Sequence, residues 1–396
     1  IDNVSVKEYL GQEVVPDSGC GSWLLEPQST NLVSYSEDFS DASWTKTNSS
    51  ITSNSVISPD GTLNADKLVE NSTTGEKLTQ TIISVTNSTI YTASVFVKYG
   101  GREWIRFTDA QSSNRIHFNT KTGVFGSVTG TVISYKSTVL GDGWYKLSLT
   151  TTSVATAYAI RITLAENDND VSYTGDGASG VYIWGAQLEQ QSYATSYIPS
   201  SGAANTRLQD IADNSGNSTL INSTEGVLYA EIAALEATSS GSTYITITDG
   251  TYNNRASILF STGSTNQIRT FLRVGGATQI DVSDNVSDVT DFNKIAFSYK
   301  ENDFKVYING ALVSSDTNGS VWSTSTINKL TFSEIGTNAG LFKGKTKALA
   351  VYKEALTDAN LRSLTYPPAV ATTFDLDFDT IAEQFTFTRG SEATFV

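Results

Sequence analysis

Apolar and polar side chains alternate with a period of two through much of this 396-residue chain, and that period belongs to the extended strand, whose successive side chains point to opposite faces. Ala93, Val95 and Val97 alternate with Ser94, Phe96 and Lys98, and Ile105 and Phe107 with Trp104 and Arg106. Ile116 and Phe118 alternate with Arg115 and His117, and Tyr158, Ile160, Ile162 and Leu164 with Ala159, Arg161 and Thr163. Turn residues break the pattern at Gly100-Gly101, Thr122-Gly123, Gly141-Asp142-Gly143 and Gly175-Asp176-Gly177. Short strands so punctuated describe sandwiches and not βαβ units.

A polar stretch, residues 201–224, reads as a linker, and a second strand-rich block covers 225–366. Within it, 304–308 and 311–313 flank Asn309-Gly310, the pair that supplies the positive φ of a type I′ hairpin turn. Thr357, followed by Asp358 and by Leu361 and Leu364 three apart, predicts one short helix over 357–364. The fold class expected is therefore all-β: two tandem antiparallel β-sandwiches, residues 24–200 and 225–366, with that single helix. Residues 1–8 can be laid over 183–189 with their apolar positions in phase, so residues 1–23 are expected to hold the closing strand of a preceding module plus a linker. Residues 367–396 follow Pro367-Pro368 and are expected to begin a following module or to form an inter-subunit segment. The chain then reads as an excerpt of a modular array.

Composition narrows function. Twenty-six Lys and Arg against 41 Asp and Glu leave a formal charge of −15, which repels phosphate backbones and anionic lipid, so neither nucleic-acid binding nor membrane insertion is expected. One cysteine, Cys20, excludes an intrachain disulfide, and one histidine, His117, excludes the clusters that build zinc, copper and haem sites. No apolar run reaches the roughly 20 residues that span a bilayer.

Specific motifs then point to families. Residues 24–39, with Trp44, Gly143-Trp144-Tyr145-Lys146, 184–189 and the 195–199 stretch Thr-Ser-Tyr-Ile-Pro, resemble a jelly-roll module common in bacteriophage tail and fibre proteins, itself similar to xylanase-associated carbohydrate-binding modules. Residues 225–366 resemble a laminin-G/concanavalin-A-like lectin domain through the Tyr307-Ile308-Asn309-Gly310 hairpin and residues 342–352. Residues 385–394 resemble the junction preceding such modules in the same phage proteins. These resemblances imply adhesion or virion architecture and no reaction. Lectin-type calcium ligands cannot be matched residue by residue in the second domain.

Two candidate sites follow. If Ile105, Phe107, Ile116, Phe118, Ile160 and Ile162 face the core, then Trp104, Arg106, Arg115, His117 and Arg161 share the other face. A Trp ring stacks on a pyranose and Arg forks pair with carboxylate or sulfate, so that face suits an anionic polysaccharide. The competing reading is an outer sheet face with snorkelling arginines. Trp144 and Trp184 invite a sugar-platform role, although large aromatics usually pack inside; Trp184 joins the glycan-binding candidates. Glu166, Asp168, Asp170 and Asp176 crowd carboxylates into one loop that suits the oxygen shell of a structural Ca2+, without EF-hand spacing. Asp281, Asp284, Asp288 and Asp291 read as a solvated loop. No cofactor is required by any of these readings.

A glycosidase needs two carboxylates at a set separation, and 41 acids always contain candidate pairs. No nucleophile elbow occurs, and a Ser-His-Asp triad would have to use mid-strand His117. The expectation is a non-catalytic virion component of a tail or head fibre, binding cell-surface polysaccharide or acting as a spacer. Other virion proteins are its expected partners, in a homo-oligomer for which analogy favours a trimer. The alternative is a secreted or cell-surface glycan-binding protein, or the accessory region of a polysaccharide-degrading enzyme.

Overall fold

The computed structural model describes residues 14–17 and 20–366, apart from 214, 238–240 and 338. These form two units, residues 27–209 and the combination of residues up to 26 with those from 210 onward. Both are antiparallel β-sandwiches, as the alternation requires. The expected strand at 1–8 and everything beyond 366 lie outside the described residues.

In the unit 27–209, one six-stranded sheet runs in the order Val124–Thr129, Asn114–Asn119, Trp104–Asp109, Ala157–Ala165, Lys77–Ser84 and Thr45–Thr47. The other runs Val132–Val139, Trp144–Thr152, Ile90–Tyr99, Gly180–Glu189, Leu63–Glu70 and Ser49–Ile57. Between them lies an apolar core in which Val95, Val97, Leu147, Leu149 and Ile183 of one sheet meet Ile105, Phe107, Ile116, Phe118, Ile160 and Ile162 of the other, all fully buried. Non-polar burial of this kind is the main favourable contribution to folding.

Most of the residues behind the family resemblance turn out to stitch this sandwich together. Asn31 is fully buried and uses every capacity of its amide: Oδ1 accepts from the N–H groups of Val33 and Leu188 (both 3.1 Å), while Nδ2 donates to the carbonyls of Ala186 (3.1 Å) and Ile198 (2.8 Å). Trp44 packs on Phe39, ring centroids 4.6 Å apart, and its Nε1 donates to the Tyr35 carbonyl at 2.8 Å. Glu189 accepts from Ser29 and from both the N–H and the hydroxyl of Thr195. Buried polar groups are tolerated only when satisfied in this way.

A second polar network holds the loop after Tyr173. Lys77 is completely buried, yet its Nζ donates to the carbonyls of Thr73 (3.0 Å), Gly75 (2.8 Å) and Tyr173 (2.6 Å) and lies 4.2 Å from the Tyr173 ring centroid. Burial presses its pKa below the usual lysine value. Beside it, Glu70 accepts from Arg102 Nη2 (2.6 Å) and Nε (3.0 Å), from the Tyr173 hydroxyl (2.6 Å) and from the Asp176 N–H (2.8 Å). Removing a carboxylate so engaged strands several donors at once.

The other unit packs a seven-stranded sheet on a five-stranded one. The first runs Val14–Asp17, Cys20–Leu25, Gly344–Tyr352, Glu225–Ala234, Asn293–Lys300, Asp303–Ile308 and Ala311–Asp316. The second runs Ala277–Asn285, Gln267–Val274, Arg255–Phe260, Thr243–Thr248 and Lys329–Thr331. Leu228, Ile232, Ile245, Ile258, Phe297 and Phe304 are among the residues filling the space between them. The Asn309-Gly310 turn forms as expected, with φ of 50° and 82° and Ile308 opposite Ala311. The helix spans Asp358–Thr365, its N-cap Thr357 accepting from the Asn360 N–H, and it buries Leu361 against Val227, Tyr229, Ala296 and Tyr307 on the outside of the larger sheet.

The unit boundaries fall elsewhere than composition suggested. Cys20–Leu25 pairs with Gly344–Tyr352 and so completes the second sandwich. The stretch 201–224 is divided too: Asn205–Arg207 pairs with Ser29–Asn31 in the first sandwich, while the Ser215 N–H donates to the Leu330 carbonyl in the second. The first sandwich is thus an insertion between a hairpin and the remainder of the second. Strand pairing across such a distance in sequence leaves no compositional mark.

Two stability outcomes follow. Glu70→Ala is expected to cost on the order of 3 kcal/mol in urea unfolding, the usual penalty for leaving a buried charge unpaired. Gly310→Ala forces a Cβ into a positive-φ site and to 2.9 Å from Tyr366 Cδ2; it is expected to cost at least about 1 kcal/mol by the same measurement.

Candidate functional site

The register of three neighbouring strands assembles the cationic face that alternation implied. Arg106 stands opposite His117 on one side and Thr163 on the other; Thr108 stands opposite Arg115 and Arg161; Trp104 lies at the end of the row opposite Asn119. Their sequence neighbours Ile105, Phe107, Ile116, Ile160 and Ile162 fill the core, so the outward direction of the charged set follows from the strand period alone.

Neighbouring residues hold the face in place. Arg106 Nη2 lies 3.2 Å from Glu76 Oε1, and Arg161 Nε donates to Gln80 Oε1 at 2.8 Å. His117 Nδ1 donates to the Ser127 carbonyl at 3.0 Å and lies 3.9 Å from Asp168 Oδ1. Asp168 itself accepts from the Ser127 N–H (2.9 and 3.0 Å) and hydroxyl (2.8 Å). Gly126 lets Trp104 and Asp168 close over the backbone, since a Cβ there would come within 2.7 Å of the indole and 2.4 Å of the carboxylate.

Several donors and acceptors on this face remain unused. Arg106 Nε, Arg115 Nε, His117 Nε2 and the hydroxyls of Thr108 and Thr163 are buried without a hydrogen-bond partner among the described residues. Burial, reinforced by the adjacent Arg106 and Arg115, holds the His117 pKa below its ordinary value, against the pull of the Ser127 carbonyl and Asp168. Burial also depresses Arg106, with Glu76 opposing and Arg115 and Arg161 adding to it. Like charges crowded out of water in this way are costly, and an anion brought among them relieves that cost.

Trp184 is not part of this face. It lies in the other sheet, buried with Phe96, Trp144 and Tyr197, with centroids 5.0 Å from Phe96 and 4.5 Å from Tyr197. A bulge at Gly185 turns the strand at that point. Trp144 is also packed, its Nε1 donating to the Ile57 carbonyl at 3.2 Å, so neither indole offers a sugar platform.

The four carboxylates expected to hold calcium do not converge. Asp176 accepts from the N–H groups of Ala178 and Ser179 (both 2.7 Å) and from the Ser179 hydroxyl (2.6 Å), and these bonds hold its pKa far below the usual range. Asp168 is drawn to Ser127 and His117, while Glu166 and Asp170 are joined through their backbones. Among the described residues, no group of three His, Cys, Asp or Glu side chains could hold a metal ion. Of the second acidic string, Asp281 and Asp284 belong to the strand Ala277–Asn285 and not to a loop. Sequence reading missed Glu76, Gln80, Thr108, Ser127 and Thr163, whose places on the face depend on cross-strand register.

One comparison with known protein families falls within the second unit. Residues 214–362 match the concanavalin A-like lectin/glucanases superfamily in its laminin G form, and the fold of that unit is accordingly a lectin-type sandwich. No match was found among the curated proteins. Among solved structures, the chain is similar to the CBM40 module of the Ruminococcus gnavus IT-sialidase, at 16% identity and a TM-score of 0.32, covering 40% of this chain and 96% of that one. It is similar to the native heptameric SAP-like pentraxin of Limulus polyphemus at 16% identity and a TM-score of 0.32, with coverage of 39% and 74%. Domains LG4-5 of the mouse laminin alpha1 chain are 9% identical, with a TM-score of 0.25 and coverage of 72% and 90%. At such scores these structures are context, and the lectin-type assignment rests on the family match and the observed topology.

One pH effect follows from the buried imidazole. Because the folded pKa is depressed, the unfolded chain takes up the proton first as pH falls; stability is full above about pH 6.5 and declines below it. Denaturant unfolding between pH 7.5 and 5.5 should show the wild type losing stability relative to His117→Gln, with a slope of up to about 1.4 kcal/mol per pH unit.

Proposed function

We propose that this chain is a non-catalytic adhesion protein whose 27–209 sandwich binds an anionic cell-surface polysaccharide through the face built by Trp104, Arg106, Arg115, His117 and Arg161. The observation that carries the reading is the set of buried, unpartnered nitrogens on three adjacent strands: Arg106 Nε, Arg115 Nε and His117 Nε2. Arg forks hold carboxylate or sulfate, and the half-buried Trp104 supplies an apolar plane beside them. The overall charge of −15 does not oppose this, because at physiological salt the field of distant carboxylates is screened over about 8 Å while the local cations act at contact.

Within the same reading the protein is a tail- or head-fibre component of a virion, alongside other virion proteins and as a homo-oligomer, with a trimer favoured by analogy. The lectin-type second sandwich and the phage-type motifs of the first support that placement.

A neutral Nε2 has no proton to give an anion, so binding should draw one onto His117. Glycan arrays and calorimetry with purified protein test the assignment. Trp104→Ala and Arg106→Ala should each weaken binding about tenfold or more, as loss of a charge-assisted contact does, and wild-type affinity should rise from pH 7.5 to 5.5. Unchanged binding in both variants would remove this face from consideration.

A further inference from the structure

The outward face of the five-stranded sheet carries a second cationic cluster, on the lectin-type sandwich. Arg255 and Arg273 stand directly opposite one another on adjacent strands, and Phe271, two residues before Arg273, stands opposite Ser257. Three guanidinium carbons surround the Phe271 ring, at 5.0 Å for Arg255, 5.4 Å for Arg269 and 5.6 Å for Arg273 from its centroid. Phe271 is 4% exposed, so the ring serves as a seat for the guanidiniums and is not itself open to a ligand.

Like charges placed directly across a sheet destabilise it unless something compensates. For two of the three, a carboxylate does so. Arg255 Nη1 lies 3.0 Å from Glu334 Oε1, and Arg269 is held by both oxygens of Asp281, at 2.5 and 2.7 Å. Arg273 has no carboxylate partner among the described residues, and the Nε atoms of both Arg255 and Arg273 are buried without a hydrogen-bond acceptor there. The Arg273 backbone is fixed, since its carbonyl accepts from Trp322 Nε1 at 2.7 Å. Next to the pair, the Tyr252 ring stacks on Arg255 at 5.1 Å and is 48% exposed.

We propose that this face is a second glycan site, independent of the first, in which the Arg273 fork takes the free carboxylate of a uronic-acid residue and the exposed Tyr252 ring carries the apolar face of the same sugar. A planar acceptor with two oxygens matches a guanidinium fork whose Nε edge is unfilled. An aromatic plane beside it selects a sugar over a bare anion. The chain would then engage a carboxylated polysaccharide through both sandwiches. The proposal shares a ligand class with the reading above but not a residue, so the two sites can fail separately.

Calorimetry of the full chain with oligogalacturonate, its fully methyl-esterified form and a sulfated dextran tests it. The Arg106→Ala variant should retain oligogalacturonate binding with reduced stoichiometry. Adding Arg273→Gln should weaken that remaining binding at least tenfold, with near-UV circular dichroism of Trp322 and the rest of the fold unchanged. The methyl ester should not bind the remaining site. Loss of all oligogalacturonate binding in Arg106→Ala alone would overturn the second site and leave the first standing. Indifference to Arg106→Ala together with sensitivity to Arg273→Gln would support the second site and remove the first. Binding of the ester or the sulfated polymer with equal affinity at the remaining site would overturn the carboxylate assignment, as would an Arg273→Gln variant that binds unchanged.

Discussion

In a two-layer sandwich the core and the outer face are not chosen separately. Successive side chains on a strand point in opposite directions, so every apolar residue committed to the interior commits its neighbour to the exterior. Ile105 and Phe107 enter the core of the first unit, and Arg106 must then leave it, as must His117 between Ile116 and Phe118. Three adjacent antiparallel strands turn that local rule into a surface by placing Arg106 beside His117 and Thr163. The second unit repeats the device with Arg255 and Arg273. The cationic faces are the outward half of the same pattern that builds the cores.

Local electrostatics works against the chain as a whole. A protein with 15 more negative than positive charges gathers six of its ten arginines in two places and provides each place with fewer carboxylates than arginines. In the first, Glu76 and Asp168 stand against three arginines and a histidine; in the second, Glu334 and Asp281 stand against three arginines. Incompletely paired, partly buried cations cost stability in the free protein. An anion brought among such cations would offset that cost, which is the physical basis of the binding proposals above.

The residues most recognisable in sequence and the residues that form the site are largely different sets. Asn31, Trp44, Trp144, Trp184 and Glu189 satisfy buried hydrogen bonds or fill aromatic clusters. Trp184 was readable as aromatic and near the end of the domain, but strand membership placed it in the other sheet. The acidic loop at 166–176 shows the same limit. Its composition suited calcium, whereas backbone geometry turned Asp176 onto its own loop and Asp168 onto Ser127 and His117. Carboxylates adjacent in sequence need not converge, because loop direction decides where each one points.

Alternation, turn chemistry and capping are properties of a few consecutive residues, and these were legible without coordinates: two antiparallel sandwiches, the Asn309-Gly310 hairpin, the helix capped by Thr357, and the direction of the arginines around Ile105, Ile116 and Ile160. What needed the tertiary structure was everything that joins distant segments. Register brought Glu76, Gln80 and Thr163 to the first face, and pairing of Cys20–Leu25 with Gly344–Tyr352 made the first sandwich an insertion within the second. A strand advertises which of its faces is apolar, but its partner is selected by the shape and hydrogen bonding of the assembled sheet, and that information exists only once the chain has closed on itself.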